Sequence, residues 1–130
     1  MILLDTHAWW WSLSEPKNLS KIALAAIKRA KTDERFIASI SLWEFAMMVA
    51  RQRIELNVSS ATWLSRAIDE TGITVVDLSP QIAHDSCYLP GNFHQDPADR
   101  IIVATARTHN LTLLTKDRKI LDYPHARSKW

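Results

Sequence analysis

The sequence predicts an α/β fold in which a mostly parallel central sheet carries helices on both faces, a three-layer α/β/α arrangement. Short apolar segments alternate almost strictly with longer amphipathic segments, and this alternation is typical of β-α-β units. The chain of 130 residues has the size of one domain, so we expect residues 1–130 to form a single domain with its own core. With 47% hydrophobic and 23% charged residues and only two glycines, the composition is that of an ordered globular chain.

The first elements are a predicted strand and two predicted helices. Ile2–Leu4 is a short apolar run that ends at Asp5, which indicates a buried strand followed by a turn. The next segment, His7–Leu13, is predicted to be a short helix. Ser20 is a suitable N-cap for an amphipathic helix over Lys21–Lys31, which has a basic face.

The middle of the chain predicts two more strands and two more helices. Serine N-caps mark the helix starts, and β-branched or short apolar runs mark the strands. In chain order we expect a strand over Phe36–Ala38, a helix from Ser39 or Ser41 to about Arg53, a helix from Ser59 or Ser60 to about Thr71 that Gly72 ends, and a strand over Ile73–Val76.

The last part of the chain continues the alternation. Prolines at the first helical position mark two of its helix starts. We expect a helix over Pro80–Tyr88, a loop over 89–95, a helix from Asp96 and Pro97 to about His109, a strand over Leu111–Leu114, a short helix over Arg118–Leu121 and a last strand near Ala126–Ser128.

The sequence favours a soluble, cytoplasmic protein without thiolate metal sites. The first residues run into Asp5 without a basic segment, and no apolar run approaches the roughly 18 residues that span a bilayer. A lone cysteine, Cys87, excludes an internal disulfide and fits a reducing compartment. His7 and His94 lack the spacing of paired ligands, so zinc is not expected, and His94 is interpreted as a loop residue that forms a hydrogen bond.

Five acidic residues occupy positions that a parallel sheet brings to one edge. Asp5 and Asp117 follow predicted strands, and ligands of open parallel sheets bind beyond the carboxyl ends of the strands. Glu44, Asp96 and Asp99 lie on helices that could converge on the same edge. Clustered carboxylates repel one another unless a cation neutralises them. The cluster therefore predicts a site for Mg²⁺ or Mn²⁺, which prefer oxygen ligands.

Each aspartate also has a purely structural interpretation. Asp96 suits the N-cap of a helix that begins with a proline, and Asp99 would then favour the helix dipole. Asp117 could cap its short helix, and Asp5 could be a turn residue. Glu44 fits such an interpretation least, because a carboxylate among apolar neighbours is costly without a partner.

Four segments of the chain resemble the PIN-domain ribonucleases and, within them, the VapC toxins of bacterial toxin–antitoxin pairs. The resemblance covers essentially the full length, and the segments occur in the order and spacing of that family. They are Leu3–Ala8, Ser41–Glu44, His94–Ala104 and Leu113–Asp117. Each segment alone is a weak signal, and the combination is specific.

The resemblance implies a Mg²⁺- or Mn²⁺-dependent endoribonuclease that hydrolyses RNA phosphodiester bonds with an activated water. It also implies a homodimer and a cognate antitoxin whose tail covers the active site. The resemblance implies that the catalytic metal ligands are Asp5, Glu44, Asp99 and Asp117. It also implies that Asp96 is a further metal-binding acid and that Thr6 and Thr115 supply neighbouring hydroxyls.

Basic residues outside this cluster have to attract the RNA. Without the five acids, nine acidic residues remain against sixteen lysines and arginines, a balance of +7, which is expected of a surface that binds a phosphate backbone. Arg100, Lys116 and Arg118 adjoin the acids and are predicted to contact phosphate. For most of the other basic residues, solvated surface charge is the simpler interpretation.

Six tryptophans are an unusual number for this length, and three of them are consecutive. Trp9–Trp11 cannot all face one core from one helix, although we expect at least two to be core residues. A remaining one is expected either to lie beside the active site, where it could stack on a base, or to pack at a dimer or antitoxin interface with Trp43, Met47 and Met48. The interface is the favoured alternative.

Other functions compete with the toxin. A phosphotransferase of the haloacid-dehalogenase type needs a second aspartate two residues after the first, where this chain has His7. A non-catalytic PIN-like module that binds RNA or a partner would be favoured had an acid of the quartet been lost, and none is missing. A PIN-domain nuclease of RNA maturation is the closest alternative, and a small antitoxin reading frame beside the gene would discriminate the two.

Overall fold

A computed structural model describes residues 1–130 and contains five strands and seven α-helices. Short 3₁₀ turns at Pro16–Asn18 and Thr32–Glu34 flank the second helix. The elements are β1 (Ile2–Leu4), α1 (Thr6–Ser14), α2 (Lys21–Arg29), β2 (Arg35–Ala38), α3 (Ser39–Ala50), α4 (Ser60–Asp69), β3 (Thr74–Val76), α5 (Pro80–Cys87), α6 (Pro97–Thr108), β4 (Thr112–Leu114), α7 (Arg118–Leu121) and β5 (Ser128–Lys129).

The five strands form one sheet in the order β3-β2-β1-β4-β5, and every pairing is parallel. The predicted fold class is confirmed, with a sheet that is entirely rather than mostly parallel. β1 is central, and its last residue, Leu4, lies opposite Ile37 of β2 and Leu114 of β4. The residues that follow these three strands therefore begin at the same edge of the sheet.

Each face of the sheet is covered by its own apolar cluster. Leu4 belongs to the cluster that includes Trp9 and Phe45 and is covered by α1 to α4. Leu3 points to the opposite face, where α5 to α7 contribute the cluster that includes Ile102. A parallel sheet buried on both faces needs apolar residues at consecutive strand positions, which explains why Ile2, Leu3 and Leu4 are all buried.

Most predicted helix starts are confirmed, and one is wrong. The Ser20 and Ser59 hydroxyls accept hydrogen bonds from backbone amides three residues on, at 3.0 and 3.1 Å. α3, however, begins at Ser39 directly after β2, and no side chain caps it. Ser41 is instead fully buried and bonded to Thr6 across the fold, so neither Ser39 nor Ser41 is a cap.

Several predicted element ends are shifted by backbone conformation. α2 ends at Arg29 because the chain enters a 3₁₀ turn after Lys31. α3 ends at Ala50, short of Arg53, since Gln52 adopts a left-handed conformation with φ of 58°. The last strand lies at Ser128–Lys129, slightly later than predicted. No helix in the structure has both the length and the apolar character needed to cross a membrane.

Candidate active site

An acidic cavity of about 360 Å³ opens at the carboxyl ends of the central strands. Four carboxylates from four separate parts of the chain line it, and the other lining residues are two basic or titratable side chains and one aromatic ring. The seven lining residues are Asp5, Glu44, Asp99, Asp117, His7, Lys116 and Trp11. A larger cavity beside α2 has only one acid among its lining residues, Glu34, and therefore lacks such a cluster.

Asp5 is held at the end of β1 by hydrogen bonds to both carboxylate oxygens. The backbone N–H of Thr6 donates to Oδ1 at 2.7 Å, and the buried Thr115 hydroxyl donates to Oδ2 at 2.6 Å. Burial raises the pKa of the Asp5 carboxyl, these two hydrogen bonds lower it, and the nearby charge of Asp117 raises it. Asp5 is thus both the N-cap of α1 and a wall of the cavity, so its two interpretations are compatible.

Glu44 is oriented by a buried hydroxyl pair. The Thr6 hydroxyl donates to Glu44 Oε1 at 2.7 Å and lies 2.9 Å from the Ser41 hydroxyl. A hydroxyl has one proton, so Ser41 donates to Thr6 while Thr6 donates to Glu44. Burial raises the pKa of the Glu44 carboxyl, the Thr6 hydrogen bond lowers it, and the charges of Asp5 and Asp96 raise it. This chain of bonds fixes α1 against α3 at the cavity.

Asp99 lies in the first turn of α6, three residues after Asp96, the predicted N-cap. Asp96 Oδ1 accepts the backbone N–H of Asp99 at 3.1 Å, which confirms the capping interpretation of Asp96. Burial and then the charges of the surrounding acids, Asp5 foremost, raise the pKa of the Asp99 carboxyl to about 7. The fold therefore disfavours ionisation of the Asp99 carboxyl near neutral pH.

His94 contacts Asp99, a role that sequence reasoning missed. Its Nδ1 accepts the backbone N–H of Asp96 at 3.3 Å, so Nε2 carries the proton, and Nε2 lies 3.0 Å from Asp99 Oδ2 without good hydrogen-bond alignment. The predicted loop hydrogen bond is present. The contact with Asp99 had no local signal, because it depends on how the loop before α6 folds back onto the helix.

Asp117 caps α7 and also lines the acidic cavity. Its side chain accepts the backbone N–H of Lys119 at 2.8 Å and so caps α7, and its own N–H donates to the Thr115 hydroxyl at 3.0 Å. One ligand atom each from His94, Asp99 and Asp117 lies within 4.8 Å of the other two. The donor set of the cavity is dominated by carboxylate oxygens that disfavour one another's ionisation, and it fits a hard divalent cation such as Mg²⁺ or Mn²⁺.

The three basic residues predicted to contact phosphate are placed very differently. Lys116 lines the cavity. Arg118 is 81% exposed, lies outside the cavity lining and is 4.0 Å from Asp122. The guanidinium of Arg100 donates to three backbone carbonyls, those of Ser86, Phe93 and His94, at 2.7 to 3.1 Å. The prediction for Arg100 is corrected on this ground, because its donors hold the loop before α6 rather than point into the cavity.

The consecutive tryptophans divide between the core and the cavity. Trp9 is 1% exposed and packs against Phe45 and Trp63, and Trp10 packs against the same cluster. Trp11 lines the acidic cavity, which is the alternative that the sequence favoured less. Of the other predicted interface residues, Met48 is buried in the core, whereas Trp43 is 58% exposed. Trp9 and Trp10 thus pack in the core, as expected of at least two of the tryptophans, whereas the expected contribution of Met48 to an interface is wrong.

Comparison with known proteins agrees with the fold. The family model described as PIN domain matches residues 2–126. The chain is 40% identical to Ribonuclease VapC22 of Mycobacterium tuberculosis over 127 residues, which covers 97% of this chain and 94% of that protein.

Solved structures of toxin–antitoxin complexes share the fold at low sequence identity. VapBC2 from Rickettsia felis, bound to a DNA fragment from its promoter, matches with a TM-score of 0.72 and 20% identity over 99% of this chain and 98% of that one. A toxin–antitoxin complex from Klebsiella pneumoniae matches with a TM-score of 0.69 and 21% identity over 100% and 97%.

Proposed function

The chain belongs to the PIN domain family, and from that premise we propose that it is a metal-dependent endoribonuclease, the toxin of a toxin–antitoxin pair. One observation carries the proposal: carboxylates from β1, α3, α6 and the end of β4 converge on one cavity. A relative that is 40% identical to this chain is a ribonuclease, and clustered carboxylates suit the metal-dependent hydrolysis that we propose.

The four carboxylates Asp5, Glu44, Asp99 and Asp117 are the proposed ligands of Mg²⁺ or Mn²⁺. When bound, such a cation activates water for attack on a phosphodiester and offsets the charge that develops on the phosphate oxygens. Asp96, which caps α6, adds negative charge beside this set and raises the pKa of Asp99. We propose that its contribution to cation binding is through this charge.

Polar residues behind and around the cavity are proposed to position these acids and to receive the RNA. Thr115 and Thr6 donate to Asp5 and Glu44 and hold their oxygens in place. Because the clustered carboxylates repel a phosphate, RNA binding depends on cation occupancy and on local positive charge. Lys116 is the lysine of the cavity wall, and we propose that it contacts phosphate, with the exposed Arg118 as a more peripheral contact.

The proposal includes a cognate antitoxin and a homodimer. Three apolar residues of α3, the exposed Trp43 and the half-buried Ile40 and Met47, line a cavity of about 570 Å³ that shares Glu44 with the acidic cavity. A large exposed aromatic residue in a partly apolar cavity fits the centre of an interface. We expect light scattering at tens of micromolar protein to give a dimer that Trp43→Ser weakens, and a monomeric wild-type protein would contradict this part of the proposal.

The activity is tested with antitoxin-free protein and an RNA that contains single-stranded loops. Wild-type protein is expected to cut in Mg²⁺ or Mn²⁺ and to stop in EDTA, and Asp5→Asn is expected to lose cleavage by orders of magnitude. Asp69→Asn is the matched control, because Asp69 is an exposed aspartate of α4 outside the cavity. Full activity in EDTA, or equal losses in the two variants, would contradict the proposal.

The alternative of RNA maturation shares the same site chemistry and differs in its genetic context. A small antitoxin reading frame beside the gene, and growth arrest when the chain is expressed alone and relieved by that partner, are expected for a toxin. Cleavage without growth arrest would favour the maturation nuclease.

A further inference from the structure

Trp11 forms the apolar part of the wall of the acidic cavity. It is the single hydrophobic residue among the seven that line the cavity, and it lies on α1, the helix that Asp5 caps. His7 and Trp11 are four residues apart and so share one side of the helix, with their ring centroids 5.4 Å apart. The cavity thus combines a group of carboxylates with one flat aromatic surface.

Core packing does not account for the position of Trp11. Its neighbours Trp9 and Trp10 belong to or pack against the cluster beneath α1, whereas Trp11 is part of neither core cluster. Trp130 does pack against that cluster, and its ring lies 5.9 Å from the ring of Trp11 at an angle of 58°. The core therefore holds Trp130 in place, and Trp130 supports Trp11 from one side.

The surroundings of the ring are those of a binding surface for a base beside a phosphate site. Lys116 Nζ lies 5.8 Å from the centroid of the Trp11 ring, at the distance of a cation–π contact. The Lys116 side chain is exposed and flexible enough to move its ammonium group onto a phosphate. A base that takes its place over the indole would keep that phosphate near both Lys116 and the carboxylates.

We propose that Trp11, supported by Trp130, is a stacking platform for one unpaired nucleobase next to the scissile phosphate. The proposal rests on the proposed ribonuclease function of the acidic cavity and specifies its substrate as single-stranded RNA. Stacking on an aromatic side chain accepts any base, because every base has a π-face. A base inside a duplex is already stacked between its neighbours and cannot reach the ring without being extruded.

Binding of two labelled probes tests the platform directly. One probe is a fluorescein-labelled oligoadenylate of about twelve nucleotides, and the other is the same ribose-phosphate chain without bases. Anisotropy is measured in Ca²⁺, a hard cation that neutralises the carboxylates, and gels verify that the probe stays intact. Wild-type protein is expected to bind the oligoadenylate about 5- to 150-fold more tightly than the abasic chain, the range for stacking on one aromatic side chain.

Three variants assign this preference to one ring. Trp11→Leu is expected to bring the ratio of the two affinities close to one, and Trp11→Tyr is expected to keep most of it because a ring remains. Tyr88→Leu is the control, since Tyr88 is an aromatic residue that is 72% exposed and lies outside the cavity. Melting temperatures in EDTA verify that all variants fold.

Two results would overturn the platform. One is equal affinity of the wild-type protein for the two probes, and the other is a ratio of the two affinities that Trp11→Leu leaves unchanged. RNA cleavage in Mg²⁺ is measured on the same samples. Preference for the probe with bases without any RNA cleavage would contradict the proposed ribonuclease function and leave the stacking role of Trp11 intact. A protein that cuts RNA without such a preference contradicts the platform and not the ribonuclease.

Discussion

Replacement of Asp99 by asparagine is expected to stabilise the metal-free protein. Asp99→Asn keeps the shape and an oxygen that can contact His94 Nε2, 3.0 Å away, but removes the negative charge. The fold raises the pKa of Asp99 from 3.8 to about 7, so the ionised carboxylate is disfavoured in the folded state relative to the unfolded chain. The stability contributed by the neutral carboxyl is lost as the pH rises from about 4 to about 7. Above that range the ionised Asp99 lowers the free energy of unfolding by its full amount.

The size of the effect follows from this shift and from two opposing terms. A shift of about three pKa units corresponds to about 4 kcal/mol at most. The Asp99 side chain is 20% exposed, so solvent screening leaves about 1–2 kcal/mol, and the lost interaction with the helix dipole subtracts about 0.5 kcal/mol. The net gain is about 1 kcal/mol, or about 4 °C in melting temperature for a chain of this length.

The assay is thermal unfolding of wild type and Asp99→Asn at pH 8, with and without Mn²⁺. A cation at a hundred times its Kd stabilises the wild-type protein by about 2.7 kcal/mol, and Asp99→Asn is expected to lose most of this gain. The variant is therefore more stable than wild type in EDTA and less stable in Mn²⁺, and its advantage in EDTA is smaller at pH 5. A variant that is less stable than wild type in EDTA at pH 8 would show that the Asp99 carboxylate does not destabilise the metal-free fold.

Three further substitutions separate structural roles from site roles. Asp96→Ala removes the N-cap of α6 and is expected to lower the free energy of unfolding in urea by about 0.5–2 kcal/mol, while RNA cleavage partly survives. Complete loss of cleavage with unchanged stability would instead make Asp96 an essential ligand. Thr6→Val removes the donor to Glu44 and leaves Ser41 without its acceptor, so we expect a loss of about 1–3 kcal/mol and weaker Mn²⁺ binding by calorimetry. Arg100→Met removes three bonds to backbone carbonyls, so unfolding should become easier by at least about 2 kcal/mol. The salt dependence of RNA binding should not change, and a shallower slope would restore Arg100 as a phosphate contact.

The sheet and the meeting of the acids were predictable because they depend on the order of elements along the chain. Alternating elements lead to a parallel sheet, and the register that places Leu4 opposite Leu114 brings Asp5 and Thr115 together. Asp5 and Thr115 are far apart in sequence, but the pairing of β1 with β4 places them side by side. Asp117 shows a limit of prediction from sequence. An aspartate before a helix is the pattern of an N-cap, and it is also the pattern of a cavity residue when the helix starts at the cavity.

What sequence reasoning missed depends on contacts between segments that are far apart. Ser41 has the residue type of a cap, and only the position of α1 shows that its hydroxyl belongs to Thr6. Arg100 adjoins the acids in sequence, but it follows Asp99 on the helix and points to the loop that α5 and α6 enclose. The division of Trp9 and Trp11 between core and cavity likewise depends on the packing of α1 against α3.

We propose that the acidic cavity binds a divalent cation on which RNA cleavage depends. One titration tests this dependence, in which the Mn²⁺ bound to the purified protein and the rate of RNA cleavage are measured on the same samples. We expect no cleavage in EDTA, a cleavage rate that rises in proportion to Mn²⁺ occupancy, and the loss of both Mn²⁺ binding and cleavage in Asp5→Asn. Cleavage that proceeds at the full rate before Mn²⁺ binds, or Mn²⁺ binding that Asp5→Asn leaves unchanged, would contradict it.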